Sequence, residues 1–187
     1  MKAIETKIKG VFVIEPEVHG DARGYFLESW SERDFDQAIG RHVAFCQDNE
    51  SLSRRGVLRG LHFQKPPHAQ SKLVRCVVGE VLDVAVDLRT GSPTYGQHVG
   101  VALSAQNHRQ LFIPKGCAHG FAVLSETALF QYKCDAFYHP EAEGALAWDD
   151  PQLGIDWQLP SHEALLSDKD RHHPTLATFH SPFSMAD

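Results

Sequence analysis

The side chain in this sequence best suited to removing a proton is His62, which lies between Leu61 and Phe63. Apolar neighbours keep an imidazole neutral, which is the form that a general base needs. Gly60 stands two residues earlier, and a glycine inside a strand often marks a bulge that redirects neighbouring side chains. A buried histidine that only hydrogen-bonds within the core would give the same pattern. His62 is therefore a candidate base, with that structural role as the open alternative.

A second histidine, His119, follows the turn residues 114–116 and has small neighbours. Two histidines on separate strands raise the question of a metal site. Cupin-type metal sites combine a His-x-His pair with a nearby glutamate, but Gln64 stands where the second histidine would be, and His68 lies beyond two prolines. We therefore expect no metal, with coordination by His62 and His119 and a distant third ligand as the weaker alternative.

Tyr132 is the candidate for returning a proton. Alternation along the strand places Phe130, Tyr132 and Cys134 on one face. A tyrosine that faces a cavity can donate a proton opposite a histidine that accepts one. An interior tyrosine bonded to the backbone is the alternative. Tyr138, beyond this strand, is expected either to stack on a flat ring or to cover the barrel mouth.

The net charge of this chain is −6, so a phosphorylated ligand would need a few Arg and Lys side chains that converge in one cleft. That balance argues against general nucleic-acid binding. Arg23 and Arg59 are the stronger candidates, because a planar guanidinium grips a diphosphate with two hydrogen bonds. Lys72 could instead stabilise an oxyanion.

The elements that must position these side chains are mostly strands. Residues 81–88 alternate with period two, and Asp83 and Asp87 lie on the more polar face of this strand. These carboxylates either serve a function or have a structural role, in which they point outward or pair with barrel arginines. The structural role is favoured for Asp87, and the two alternatives are level for Asp83. The other segments predicted as strands are 11–18, 43–50, 57–64, 72–78, 97–103, 109–113, 120–124 and 128–137.

Many short strands separated by turn residues predict an all-β sandwich or small barrel. The 187 residues suit a single domain over 1–187, with an irregular tail after about residue 174. Ser31 and Gly40 predict the two ends of one short helix, and a second helix is expected near 165–171.

The cellular setting is expected to be the cytoplasm. The four cysteines lie in apolar segments without a CxxC pair, which favours buried free thiols. The apolar run Gly10–Ile14 is too short for a signal peptide, and no run is long enough to cross a bilayer.

Taken together, these segments resemble the dTDP-4-dehydrorhamnose 3,5-epimerase family over nearly the whole chain. Each segment is modest alone, and their number and order carry the resemblance. The matching segments are His19–Ser29, Gln47–Asn49, Leu58–Gln64, Pro67–Arg75, Gly116–Phe121, Tyr132–Lys133, Trp148–Pro151 and Leu166–Asp170.

The resemblance implies a cupin-like jelly roll with a few short peripheral helices, a homodimer, no cofactor and a dTDP-hexose substrate. It implies inversion of C3 and C5 of dTDP-4-dehydro-6-deoxy-D-glucose, with His62 as base, Asp170 orienting it, Tyr132 as acid and Lys72 near the ketone oxygen. The residues implied for substrate binding are Arg23, Glu28, Gln47, Asp48, Asn49, Arg59, His119, Tyr138, Glu143 and Lys169.

Three positions depart from the common family pattern: Phe112, Cys117 and Asp135. They leave open a single-centre epimerase acting on a related dTDP-4-keto-deoxysugar. Two further alternatives are a barrel that only binds a nucleotide sugar and a metal-dependent cupin dioxygenase. The first of these is disfavoured because binding alone needs no acid–base pair.

Overall fold

The computed structural model describes residues 1–185, and its regular structure is mostly β-strand. The α-helix of this range is α1 (Glu32–Ile39), and short 3-10 helices cover Pro140–Ala142, Ser161–Glu163, Lys169–Arg171 and Leu176–Thr178. The strands are β1 (Lys2–Glu5), β2 (Phe12–Glu15), β3 (Val18–Asp21), β4 (Gly24–Leu27), β5 (Gln47–Arg54), β6 (Leu58–Gln64), β7 (Lys72–Val78), β8 (Glu80–Asp87), β9 (Arg89–Thr90), β10 (His98–Ser104), β11 (Gln110–Ile113), β12 (Cys117–Val123), β13 (Thr127–Cys134), β14 (Glu143–Ala145) and β15 (Phe183–Ser184). No helix within residues 1–185 is both long and apolar enough to span a membrane.

Two antiparallel sheets form the body of the fold. One has the order β1-β2-β11-β7-β13-β5 and the other the order β10-β8-β12-β6-β14. Val74 and Phe130 of the first sheet share a buried cluster with Ala85 and Val123 of the second, so the two sheets pack face to face. This arrangement confirms the expected all-β, jelly-roll class.

The predicted helix at 31–40 is confirmed. Ser31 accepts a hydrogen bond from the Asp34 backbone N–H at 3.4 Å, and Gly40 ends the helix in the left-handed conformation at φ 73°. The apolar side chains Phe35 and Ile39 face the core.

The second helix, expected near 165–171, is wrong. Leu165 donates its N–H to Gly56 at 2.8 Å and accepts the Leu58 N–H at 3.1 Å. These bonds add the segment to the edge of β6 and occupy backbone groups that a helix would need. Within the predicted range 165–171, the helical structure is the 3-10 turn Lys169–Arg171.

The segment after residue 174 is held against the body by buried contacts. Leu176 and Phe183 are buried in the same core cluster as Leu61. The Leu176 N–H donates to the buried Asp150 carboxylate at 2.5 Å. Three cysteines are buried free thiols as predicted, whereas Cys46 is exposed because it lies just before β5 rather than inside a strand.

Candidate active site

A cavity of about 560 Å³ opens between the sheets, where β6, β7, β12 and β13 supply polar side chains. The predicted site residues that line it are Arg59, His62, Lys72, His119, Tyr132, Tyr138, Glu143, Lys169 and Asp170. A neighbouring cavity of about 310 Å³ shares His62 and Tyr132 with it and adds the predicted residues Gln47 and Asn49.

The position of His62 depends on an irregularity in β6. His119 pairs with His62 across β12 and β6, but Phe121 pairs with Arg59, so the register shifts between them as predicted for a bulge. Gly60 has φ 135°, and a Cβ there would lie 2.5 Å from the Gly120 Cα. Only glycine allows the two backbones to approach this closely.

His62 forms a hydrogen-bonded pair with Asp170, which comes from the 3-10 turn far along the chain. The His62 Nε2 lies 2.6 Å from the Asp170 Oδ1, with 30% of the His62 side chain and 5% of the Asp170 side chain exposed. Burial raises the pKa of the Asp170 carboxyl, but hydrogen bonds led by that from His62 outweigh this effect and leave its pKa below the ordinary value. Asp170 is therefore a carboxylate that can orient and stabilise a charged imidazole.

His119 forms a second pair, with Asp83 of β8. The His119 Nε2 lies 2.9 Å from the Asp83 Oδ2, and the Asp83 Oδ1 is buried without a hydrogen-bond partner among the described residues. Burial raises the pKa of Asp83 and lowers the pKa of His119, even though each attracts the other's charged form. The pair is therefore driven towards its neutral form.

Tyr132 and Lys72 enter the cavity from neighbouring strands β13 and β7. The Lys72 Nζ lies 5.7 Å from the centre of the Tyr132 ring. Burial raises the pKa of the Tyr132 phenol, so this group keeps its proton. Burial lowers the pKa of the Lys72 ammonium. Phe130 and Cys134 lie on the same face as Tyr132 and line the two cavities, which confirms the predicted alternation.

A polar cluster lies at the mouth of the cavity. The Tyr138 hydroxyl donates to the Glu143 carboxylate at 2.7 Å, and the Lys169 Nζ lies 2.5 Å from the same carboxylate. Tyr138 is exposed and its N–H donates to the Gln47 side chain at 3.3 Å. A flat exposed ring beside these hydrogen-bonding groups can receive a planar ligand.

The structure brings three of the predicted residues to neither of these two cavities. Asp48 lies between Gln47 and Asn49 on the opposite face of β5, where it accepts from Lys133 at 2.9 Å. Glu28 borders a separate cavity of about 240 Å³. Arg23 lies in the β3–β4 hairpin, pairs with Asp21 and is 90% exposed.

Two residues that sequence reasoning missed also bind Asp170. The Ser167 hydroxyl donates to Asp170 Oδ2 at 2.8 Å, and the His173 Nε2 lies 3.3 Å from Oδ1. Both stand three residues from Asp170, a spacing that could have marked them in a tight turn. The donor atoms of His62, Asp170 and His173 lie within 4.8 Å of one another, so this group could also hold a metal ion.

The buried Asp87 has a structural role, as favoured from the sequence. Its carboxylate accepts two hydrogen bonds from the Arg89 guanidinium, at 2.8 Å and 2.9 Å, and further bonds from the hydroxyls of Ser92 and Thr94. The pairing with an arginine explains how a fully buried carboxylate is tolerated here.

Comparison with known proteins identifies the family. Residues 5–178 match the family model of dTDP-4-dehydrorhamnose 3,5-epimerase. The enzyme of that name from Shigella flexneri is 56% identical over 170 residues, covering 91% of this chain and 93% of its own length. The crystal structure of dTDP-6-deoxy-D-glucose-3,5-epimerase from Legionella pneumophila, in complex with dTDP-4-keto-L-rhamnose, has a TM-score of 0.91 at 50% identity and covers 96% of this chain and 94% of that one.

A 3′-monoepimerase from Streptomyces bikiniensis, solved in complex with dTDP-quinovose, has a TM-score of 0.86 at 38% identity and covers 95% of this chain and 88% of that one. These similarities extend over nearly the whole of each protein. The chain belongs to the dTDP-4-dehydrorhamnose 3,5-epimerase family and is an isomerase.

Proposed function

We propose that this member of the dTDP-4-dehydrorhamnose 3,5-epimerase family inverts C3 and C5 of dTDP-4-dehydro-6-deoxy-D-glucose to give dTDP-4-dehydro-L-rhamnose. The observation that carries the proposal is the His62–Asp170 pair, at 2.6 Å, in a cavity that Tyr132 and Lys72 also line. The Shigella flexneri relative, at 56% identity, is named for inversion at both centres, whereas the monoepimerase is 38% identical.

The reaction needs a base and an acid on opposite sides of the sugar. The C4 ketone acidifies the C–H bonds at C3 and C5, so removal of either proton gives an enolate. Return of a proton to the other face completes the inversion. Each of the two transfers can gain about 10²–10⁴-fold in rate from a positioned acid or base.

His62 is the proposed base. If the Nε2–H donates to Asp170, the lone pair of Nδ1 is free to take the substrate proton. The imidazolium that forms is then stabilised by a carboxylate whose low pKa keeps it charged. Asp170 therefore acts by orienting His62 and by balancing the charge that His62 acquires.

Tyr132 is the proposed acid. Its raised pKa, caused by burial, keeps the phenol protonated until a carbanion is present to receive the proton. Tyr132 is on β13 of one sheet and His62 is on β6 of the other, so a sugar between the sheets would meet them on different faces.

Lys72 is proposed to stabilise the enolate oxygen. A half-buried ammonium is less well solvated than one in water, so it interacts strongly with a negative charge that develops beside it. The enolate can therefore form without a metal ion.

The remaining residues of the cavity are proposed to bind the dTDP moiety and the sugar. Tyr138 offers its exposed ring to the thymine. Arg59 and Lys169 supply positive charge for the diphosphate. The other proposed contacts, through hydrogen bonds, are made by Gln47, Asn49, His119 and Glu143.

We further propose that the working enzyme is a homodimer in which the β3–β4 hairpin reaches the cavity of the partner. Tyr25 and Phe26 on this hairpin are 60% and 70% exposed. Arg23, which the family resemblance assigns to the substrate site, lies on the same hairpin and outside its own chain's cavity. A dimer contact would bury the two rings and supply the missing guanidinium.

The cytoplasm is the proposed location. The described chain has four free thiols and three of them are buried. Free thiols persist most readily in a reducing compartment.

The test is proton exchange in D₂O. The protein is incubated with dTDP-4-dehydro-6-deoxy-D-glucose, and NMR follows deuterium entry at C3 and C5. Entry at both carbons with formation of the L-rhamno product is expected. Entry at one carbon would replace the proposal with a single-centre epimerase, and entry at neither would refute an epimerase acting on this substrate.

Tyr132→Phe tests the acid separately. The variant keeps the ring but lacks the proton donor, so deuterium exchange should continue while formation of the inverted product falls by about 10²-fold or more. NMR measures both quantities in one sample. An unchanged rate of product formation would exclude Tyr132 as the acid.

A further inference from the structure

A cluster of metal-ligating side chains lies outside the cavity, where the segment between Tyr138 and Glu143 meets the turn that carries His68. The donor atoms of His68, His139 and Glu141 lie within 4.8 Å of one another. The two imidazole rings are stacked, with centroids 3.6 Å apart and an angle of 23° between their planes. The His139 Nδ1 lies 3.1 Å from the Glu141 Oε1.

The backbones that carry these side chains are held together by one buried amide. The Gln64 Nε2 donates to the His68 carbonyl at 2.7 Å, and the Gln64 Oε1 accepts the His139 N–H at 2.6 Å. Lys65 and Ala142 add a direct backbone bond of 2.8 Å between the same two segments. Gln64 is 4% exposed, so water competes little for these bonds. The donors therefore stand on a fixed backbone even though they lie near the surface.

We propose that His68, His139 and Glu141 bind a divalent transition-metal ion such as Zn²⁺, with water completing the coordination. Two imidazoles and one carboxylate suit Zn²⁺ or Ni²⁺ and not Mg²⁺ or Ca²⁺, which prefer oxygen ligands. Zinc bonds of about 2.0–2.1 Å place neighbouring ligand atoms roughly 3.4 Å apart. The nitrogen lone pairs lie in the ring planes, which are only 23° apart, so metal binding requires the two rings to rotate out of the stack until both lone pairs face the ion. The exposed positions of His139 (38%) and Glu141 (71%) leave room for these rotations.

The metal would restrain the mouth of the cavity. His139 directly follows Tyr138, and Glu141 stands two residues before Glu143, so the ion would fix both ends of the turn that joins them. Tyr138 and Glu143 are bonded to each other at 2.7 Å. Bound metal is therefore expected to change the KM for the nucleotide sugar more than kcat. This consequence rests on the proposed function, whereas binding of the metal does not.

The test is a calorimetric titration of the chelator-treated full-length protein with ZnCl₂. One ion per chain is expected, and His68→Gln and His139→Gln should each raise the Kd roughly tenfold or more. His162→Gln, an exposed histidine in another 3-10 helix, is the matched control and should bind zinc as the parent does. Circular dichroism checks that each variant is folded.

The proposal is overturned if the parent protein binds no zinc, or if both variants bind it unchanged. Loss of binding in His173→Gln alone would also overturn it, because the ion would then lie with His62 and Asp170. A chain that binds zinc through His68 and His139 but shows no deuterium exchange would count against the proposed function and leave the metal site standing.

Discussion

The histidines of two histidine–aspartate pairs lie on adjacent strands of this molecule, yet their surroundings shift the pKa values of the two aspartates in opposite directions. His62 and His119 are directly paired across β6 and β12. The Asp170 carboxylate receives hydrogen bonds from His62, Ser167 and His173, and its pKa is lowered in spite of burial. Asp83 has an oxygen without a partner in the described structure, and burial raises its pKa.

The difference shows that a histidine–aspartate pair is not a catalytic device by itself. The chemistry of such a pair depends on how many hydrogen bonds the carboxylate accepts and on whether the imidazole can reach a substrate. The side chain of His62 is 30% exposed to the cavity, whereas that of His119 is 8% exposed. The first pair can meet a substrate and hold charge, and the second is suited to shaping the cavity wall.

The largest effect is expected for His62→Ala. Removal of the proposed base should lower deuterium exchange at both C3 and C5 by about 10²–10⁴-fold, because His62 is proposed to take both protons. Thermal melting should change little, since His62 is partly exposed. The NMR exchange assay measures the rate. Near-normal exchange in this variant would show that His62 is not the base and would make the His119–Asp83 pair the candidate instead.

Asp170→Asn should have a smaller but still large effect on kcat. An amide can hold His62 in place, but it cannot balance the charge that forms on the imidazole. We expect a fall in kcat of about 10²-fold or more with little change in KM, measured by steady-state kinetics. A variant in which only KM changes would indicate that Asp170 binds substrate instead.

Asp87→Asn should lower stability and leave the chemistry intact, because Asp87 binds Arg89 away from the cavity. Breaking this buried pair should cost about 3–5 kcal/mol of unfolding free energy, measured by urea denaturation.

Burial raises the pKa of Asp87, but hydrogen bonds led by those from Arg89 lower it below 3.8 overall. Because the pKa of Asp87 is lower in the folded than in the unfolded protein, its ionised carboxylate stabilises the fold above pH 3.8. This stabilisation is lost as the pH falls through the pKa of the folded state.

The parent protein should therefore lose stability in that acid range more steeply than Asp87→Asn does. Parallel denaturation curves at several acidic pH values compare the two slopes. Equal slopes would mean that Asp87 is not the group responsible.

Asp83→Asn should have the smallest effect of this series. The raised pKa of Asp83 already favours its neutral acid, and an amide has nearly the same shape and no charge. We expect a change in unfolding free energy below about 1.5 kcal/mol and a melting curve close to that of the parent. A loss as large as that of Asp87→Asn would show that the buried pair is ionised, which would remove the contrast with Asp170.

The elements of the fold were largely predictable because their signals are local. Period-two alternation marks the long strands, and Ser31 and Gly40 mark the ends of α1. The predicted strand at 43–50 is shifted to Gln47–Arg54 because pairing with β13 decides its register. The helix near 165–171 failed because the backbone of Leu165 bonds to β6, a contact that local propensity does not contain.

The candidate site was predictable only in part. The residues around His62 and Tyr132 made them candidates for a base and an acid, with a purely structural role as the alternative for each. Asp170 lies 108 residues from His62 in the chain, so no local pattern could join them, and only the family resemblance suggested the pairing. His173 stands only three residues from Asp170, so it becomes a candidate once Asp170 is assigned to the site. Arg23 and Glu28 were assigned to the site by the family resemblance but lie outside both cavities of their own chain. The proposed homodimer would account for Arg23, because one sequence does not show which residues a partner chain supplies.

The exposed β3–β4 hairpin has a consequence for how active sites are counted. If each cavity takes Arg23 from the partner, a His62→Ala chain and an Arg23→Ala chain are both inactive as homodimers. A hybrid of the two carries both defects in one cavity and neither in the other. Coexpressed and isolated through two different tags, such a hybrid should recover about half of the parent activity per dimer. Activity would then depend on which two chains form the dimer, and not on how many chains carry no substitution.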